Sequence, residues 1–181
     1  MEKEFTFDKN ALRERMKATR KNLADKQALS VVACSRAEKL VYGNILAYVP
    51  IGSELSTLPL IELLRKRSDV AVYVPHTVGT VIVPRKLVKL DKPNGTGNLP
   101  DDCYGEPLGA EKLHFCITPL LGFNDAGYRL GYGKGCYDMF FAENDCIKIG
   151  MAFEAQRIYF SPESNDIPLD CCVTEQKVIY F

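Results

Sequence analysis

The chain has 181 residues, with 23 lysines and arginines against 23 aspartates and glutamates and a formal net charge of zero. That length suits one domain with a substantial core and is short for two large ones. A neutral balance supplies no long-range field to draw nucleic acid or an anionic membrane, so any phosphate must be met by a local cluster.

No apolar run is long enough to cross a bilayer, and the start "MEKEFTFDKN" mixes acids and bases with no apolar leader after it. The seven cysteines form no Cys-x-x-Cys pair, which argues against a zinc site or a disulfide framework. A soluble protein of the reducing cytoplasm is expected, and without a coiled-coil pattern a monomer.

Helical spacing of Leu12, Met16, Thr19 and Leu23 predicts a helix over residues 8–24, with Asp8 as N-cap. Lys9, Arg13, Lys17 and Lys21 repeat every four residues and share one face, expected opposite Leu12 and Met16. A second helix is predicted over residues 25–41, carrying Val31, Val32, Ala37 and Leu40. The period then changes: "NILAYVP" reads as a buried strand and "STLPLIELLRKRS" as a capped helix with Pro59 in its first turn.

"VAVYVP" and "TVIVP" read as strands, each closed by its proline. Residues 92–109, crowded with Pro, Gly, Asn and Asp, read as a long loop. "FCITPLLGF" reads as a strand, "CYDMFFAEN" as a helix and "IKIGMAF" as another strand. Strands alternating with helices predict a single α/β domain, a largely parallel sheet flanked by helices.

Between the last strand-helix pair lies "GFNDAGYRLGYGKGCYDMFF", residues 122–141, where Gly131, Gly133 and Gly135 alternate beside Arg129, Lys134 and Asp138. A loop leaving a strand and entering a helix presents unpaired N–H groups where the helix dipole favours an anion. Bare glycines let the backbone adopt φ > 0 and approach a ligand closely, and Arg129 and Lys134 add charge suited to phosphate oxygens. The spacing is not that of a Walker A loop or of a dinucleotide fingerprint, since Tyr128, Gly135 and Cys136 stand where those patterns need other residues. A glycine-rich turn with solvated charges is the plainer reading. Asp138 suits a Mg²⁺ that bridges nucleotide phosphates, or simply favours the helix dipole.

"DAGYRLGYGKGCYD" resembles the D-x-x-G-x-R-L-G-x-G-x-G-Y-Y-D signature of the 5-formyltetrahydrofolate cyclo-ligase family, also called methenyltetrahydrofolate synthetases. "KNALR", "YVPIGSELST", "YGEPLG" and "NDIPLD" resemble further family segments in the same order. The resemblance departs at Cys136, where the family has tyrosine, at Asn165, where it has histidine, and at Tyr132, a position often basic in relatives.

The resemblance implies ATP contacts at Lys9, Asn10, Ala11, Leu12 and Arg13, and again at Arg129, Leu130, Gly131, Tyr132, Gly133, Lys134, Gly135, Cys136 and Tyr137. It implies contacts with the substrate 5-formyltetrahydrofolate at Glu54, Tyr132, Gly133, Lys134, Gly135 and Cys136, and Mg²⁺ ligands at Asp138 and Asp166. Lys134 and Arg129 become the catalytic cations, while Lys17 and Lys21 stay solvent residues. The implied reaction phosphorylates the formyl oxygen and closes the ring to 5,10-methenyltetrahydrofolate, releasing ADP and phosphate. Another ATP-dependent enzyme acting on a related small molecule, or a binding protein without turnover, are the alternatives.

Overall fold

The computed structural model describes residues 8–91, 93, 95–109 and 112–181. Residues 1–7 of the mixed-charge start, and Lys92 and Asn94 of the long loop, lie outside them.

Helix α1 spans Lys9–Asn22, and the Asp8 carboxylate accepts from the Asn10 amide at its start. Its buried side chains are Leu12, Met16 and Arg20, one residue every four. Lys9 and Arg13 lie about 100° round from that row, beside it rather than opposite as expected, which carries them onto the protein surface next to the core. Helix α2, Lys26–Glu38, buries Ser30, Ala33, Cys34 and Ala37, while Val31 and Val32 are exposed. The expected row placed those valines inward; the small residues instead set the close approach to the neighbouring helix.

Strand β1 is Gly43–Ala47, α3 is Leu58–Leu64 with Pro59 in its first turn, and β2 is Val70–Val78. Strand β3, Val81–Leu87, returns antiparallel to β2. The prolines do not close these strands: Pro75 and Pro84 sit opposite each other inside the hairpin. The Pro84 carbonyl accepts from Leu108, away from β2, so the facing prolines occupy a non-hydrogen-bonded pair and interrupt no bond between the two strands.

The long loop is likewise more structured than expected. A 3₁₀ turn at Asp101–Cys103 leads into strand β4, Tyr104–Pro107, which pairs with β3. The stretch read as a single strand at 115–123 breaks into β5, Phe115–Pro119, and β6, Gly122–Phe123, which pairs with β7, Arg129–Leu130, as a small separate sheet. Helix α4, Cys136–Glu143, and β8, Ile147–Met151, follow as predicted. Strands β9, Cys171–Val173, and β10, Val178–Tyr180, had no sequence expectation; three residues each are too few to show a period.

The main sheet runs β10-β9-β8-β5-β1-β2-β3-β4. Its central five strands, β9 to β2, are parallel, and antiparallel strands close both edges. Both faces are covered. Ile45, Ala47, Val72, Val74, Phe115 and Ile117 join a cluster with Leu60, Ile61 and Leu64 of α3, whereas Leu46, Tyr73 and Cys116 point to Phe140 and Phe141 of α4. Ile117 is fully buried on the central strand. Ile117→Ala is therefore expected to destabilise the fold by about 2–5 kcal/mol, read as a lower urea midpoint with an unchanged slope.

Candidate active site

From β1 the chain proceeds one way to β2 and the other way to β5, so the strand order reverses between β1 and β5. At such a reversal the connecting segments leave in opposite directions and a crevice opens beyond the carboxyl ends of the strands. A cleft of about 700 Å³ lies there, lined by Tyr48 and Val49 just past β1 and by Pro119 at the end of β5. The glycine loop 131–135, the start of α4, the first turn of α1, the β2–β3 hairpin, Glu54 and residues 163, 165 and 166 also line it.

Gly133 has φ +94 and Gly135, the N-cap of α4, has φ +68; Gly131 does not take a positive φ. Arg13 holds this loop from α1, its Nε donating to the Gly131 carbonyl at 3.0 Å and its Nη1 to Asn10 Oδ1 at 2.8 Å. A Cβ on Gly133 would sit 3.3 Å from Arg13 Cζ, so a side chain there would crowd the guanidinium as well as strain the backbone. Within the first α1 turn Lys9 and Arg13 line the cleft, Ala11 is exposed and Leu12 is buried with Met16 and Leu130. Lys134 is exposed in the cleft and makes no ion pair or hydrogen bond to any described residue.

The other cations are engaged. Lys9 Nζ lies 3.1 Å from Asp166 Oδ2 and 2.9 Å from Glu163 Oε1. Arg129, nearly buried, donates through Nη2 to Asp138 Oδ1 at 2.7 Å and through Nη1 to the Ile167 carbonyl at 2.7 Å, with its guanidinium over the Phe141 ring. The Ile167 amide also donates to Asp138 Oδ1, at 3.1 Å. Oδ2 of Asp138 and Oδ1 of Asp166 accept from no described residue, and both side chains are on the cleft wall. Cys136 is half-buried in the first turn of α4, and all seven cysteines are free thiols. Burial pushes the Cys34 thiol up to about 12 and the Cys171 thiol up to about 11, so these two are apolar packing rather than nucleophiles.

Glu54 sits in the β1–α3 connection, which is tightly tied down. The Tyr48 hydroxyl donates to the Leu55 carbonyl at 2.6 Å, Thr57 Oγ1 donates to the Tyr48 carbonyl at 2.5 Å, and Ser56 N donates to Ser30 Oγ of α2. Glu54 is buried; its Oε2 accepts from the Ile51 amide at 2.8 Å and its Oε1 from the Tyr132 hydroxyl at 3.1 Å. Burial pushes its carboxyl above the usual range, opposed by the Ile51 amide, Arg20 and Tyr132.

Three contributors went unread in the sequence: Arg20, Glu163 and the backbone of Ile167. Only Arg20 left a local signal, an arginine four residues after Met16 and eight after Leu12, on the row of α1 that is buried. His76 lies within β2 against Tyr104 rather than in the site.

Residues 6–175 match the 5-formyltetrahydrofolate cyclo-ligase family. A 5-formyltetrahydrofolate cyclo-ligase of Mycoplasma pneumoniae is 25% identical over 186 residues, spanning 94% of this chain and 100% of that protein. One from Escherichia coli K12 is 30% identical over 146 residues, spanning 75% and 79% of the two chains. The structure of Aquifex aeolicus 5,10-methenyltetrahydrofolate synthetase has a TM-score of 0.80 to this one at 27% identity, covering 95% of this chain and 92% of that one. The M. pneumoniae synthetase structure shares the fold, with a TM-score of 0.72 at 24% identity over 93% and 99% of the two chains. The match over residues 6–175, nearly the whole chain, shows that this chain belongs to the 5-formyltetrahydrofolate cyclo-ligase family.

Proposed function

We propose that this protein converts 5-formyltetrahydrofolate to 5,10-methenyltetrahydrofolate with ATP and Mg²⁺, acting as a cytoplasmic monomer on a small molecule. One observation supports this most: Lys134, a cation without a partner among the described residues, stands in an open glycine loop in the same cleft as the buried, doubly hydrogen-bonded Glu54. A polyanion site and an acceptor for ring N–H groups thus share one cavity, as a reaction between ATP and a pterin requires.

The formamide carbonyl is a weak electrophile, and cyclisation must remove its oxygen. Transfer of the γ-phosphoryl group to that oxygen leaves ADP and an iminium phosphate; N10 then attacks the formyl carbon and loses its proton, and phosphate departs with the original oxygen. Such a transfer needs alignment and charge neutralisation more than a protein nucleophile. Lys134 and the first-turn amides of α4 meet the phosphoryl oxygens, and Arg13 sets the loop that presents them. Arg129 contributes positive charge from the wall while orienting Asp138.

The oxygen donors fit a hard divalent ion: Asp138 and Asp166 both line the cleft and each keeps a carboxylate oxygen with no described partner, so these two would hold Mg²⁺. The ion would supply screening of the phosphate charge. Glu54 accepts from the pterin edge, and Tyr132 and Cys136 border the folate where it meets the glycine loop.

The test is to incubate purified protein with 5-formyltetrahydrofolate, Mg²⁺ and ATP and to follow the near-ultraviolet absorbance of the methenyl product. Product that forms only with ATP supports the assignment. Its absence from folded protein that binds ATP would move the reading to another small-molecule substrate. Gly133→Ala is expected to raise the KM for ATP by about tenfold, because a side chain at φ +94 is strained and meets Arg13. Steady-state kinetics with ATP varied would check it.

A further inference from the structure

Arg20 is 3% exposed and makes no ion pair with any described residue. A buried guanidinium is costly unless its charge is answered by hydrogen bonds. Nε donates to Ser53 Oγ at 3.2 Å, Nη1 to the Leu120 carbonyl at 3.1 Å and Nη2 to the Tyr132 hydroxyl at 2.5 Å. That hydroxyl in turn stands 3.1 Å from Glu54 Oε1.

Donor arithmetic fixes the direction of this chain. Arginine only donates, so the phenol oxygen accepts from Arg20 and its single proton goes to Glu54. The Ile51 amide occupies the other carboxylate oxygen. Each oxygen of Glu54 therefore faces a donor, and the network accommodates the ionised form, whose remaining lone pairs open to the cleft. A pterin presents two adjacent N–H donors, from its ring nitrogen and its 2-amino group, and a carboxylate matches them where a carboxylic acid would not.

We propose that the buried Arg20, acting through the cleft-lining Tyr132, forms a relay that holds Glu54 ionised and oriented, making Arg20 a positioning residue for folate although it lines no part of the cleft. The identity of the ligand rests on the cyclo-ligase reading; the relay rests on the geometry alone. The groups acting on Glu54 come from four elements: Arg20 from α1, Tyr48 after β1, Tyr132 from the glycine loop and Tyr137 from α4. Arg20 is the cation among them. Both tyrosines outside the relay, Tyr48 and Tyr137, have hydroxyls pushed well above their ordinary range by burial and stay neutral.

The test uses two readouts. In protein carrying carbon-13 glutamate, the Glu54 carboxyl resonance, assigned by its loss in Glu54→Gln, is followed against pH in the wild type and in Tyr132→Phe. The phenylalanine keeps the ring and removes the donor, so Glu54 is expected to take up its proton at a higher pH. In kinetics, Tyr132→Phe is expected to raise the KM for the folate by about tenfold at neutral pH, the scale of one hydrogen bond to a charged group, and more as pH falls. The KM for ATP stays where it was. Arg20→Met, if folded, moves both readouts the same way.

An unmoved carboxyl titration in Tyr132→Phe overturns the relay, even if folate binding weakens, because the ring or hydroxyl would then act on substrate directly. A loss of ATP affinity with no change for the folate overturns it too. The carboxyl titration needs no substrate, so a wild-type protein that fails to form methenyl product would refute the function while leaving the relay to its own result.

Discussion

Lys134→Ala is expected to lower kcat for methenyl formation by about 100- to 1000-fold while changing the folate KM little. Lys134 is the one cleft cation without a partner among the described residues; Lys9, Arg13 and Arg129 already serve carboxylates or carbonyls. Charge that develops on the transferring phosphoryl group must be met by a donor that needs no other bond broken first, and removal of one such donor typically has this effect. The folded state loses nothing buried, so the melting temperature should hold within the range of a surface substitution. Single-turnover measurement of the methenyl absorbance separates the chemical step from binding. A folate KM that rises in step with an unchanged kcat would assign Lys134 to uniform binding instead.

The second large effect is expected at Glu54. Glu54→Gln keeps the shape but puts an amide NH₂ against one of two donors, the Ile51 amide or the Tyr132 hydroxyl. One hydrogen bond is lost and one donor–donor clash is made, in a buried setting where each is felt strongly. The folate KM should rise by about 100-fold with ATP binding retained, the converse of the lysine variant. Isothermal titration with ATP and with the folate, run separately, distinguishes the two. The wild-type pH profile has a definite sign: burial raises the Glu54 carboxyl, so folate affinity is lost as pH falls through that raised value and is retained above it. An acid limb that persists unchanged in Glu54→Gln would remove Glu54 from that role.

The glycine loop and its flanks could be read from the sequence because they are contiguous. Strand, tight turn and helix start occupy residues 129–143, and the glycine spacing, the charges and the first-turn aspartate lie within that window. The central strands were equally legible, since a buried strand announces itself as a short β-branched and apolar run. The hairpin prolines misled because proline is a terminator only where its missing N–H was needed, and the pairing of β2 with β3 removed that need. Likewise Val31 and Val32 are exposed because α2 turns its small residues inward, a choice set by the packing partner rather than by the helix period.

The family, the alternation of strands and helices, and the residue types of the glycine loop are legible along the chain alone. Which polar side chains meet depends on the folded arrangement: Lys9 with Asp166, 157 positions apart, Arg20 with Tyr132, 112 apart, and Tyr132 with Glu54, 78 apart. Local periodicity reports which face of an element is buried and says nothing of what lies across from it. The strand order supplies that, by bringing the carboxyl ends of β1 and β5 together and laying α1 over them, so distant side chains become hydrogen-bond partners through the sheet rather than along the chain.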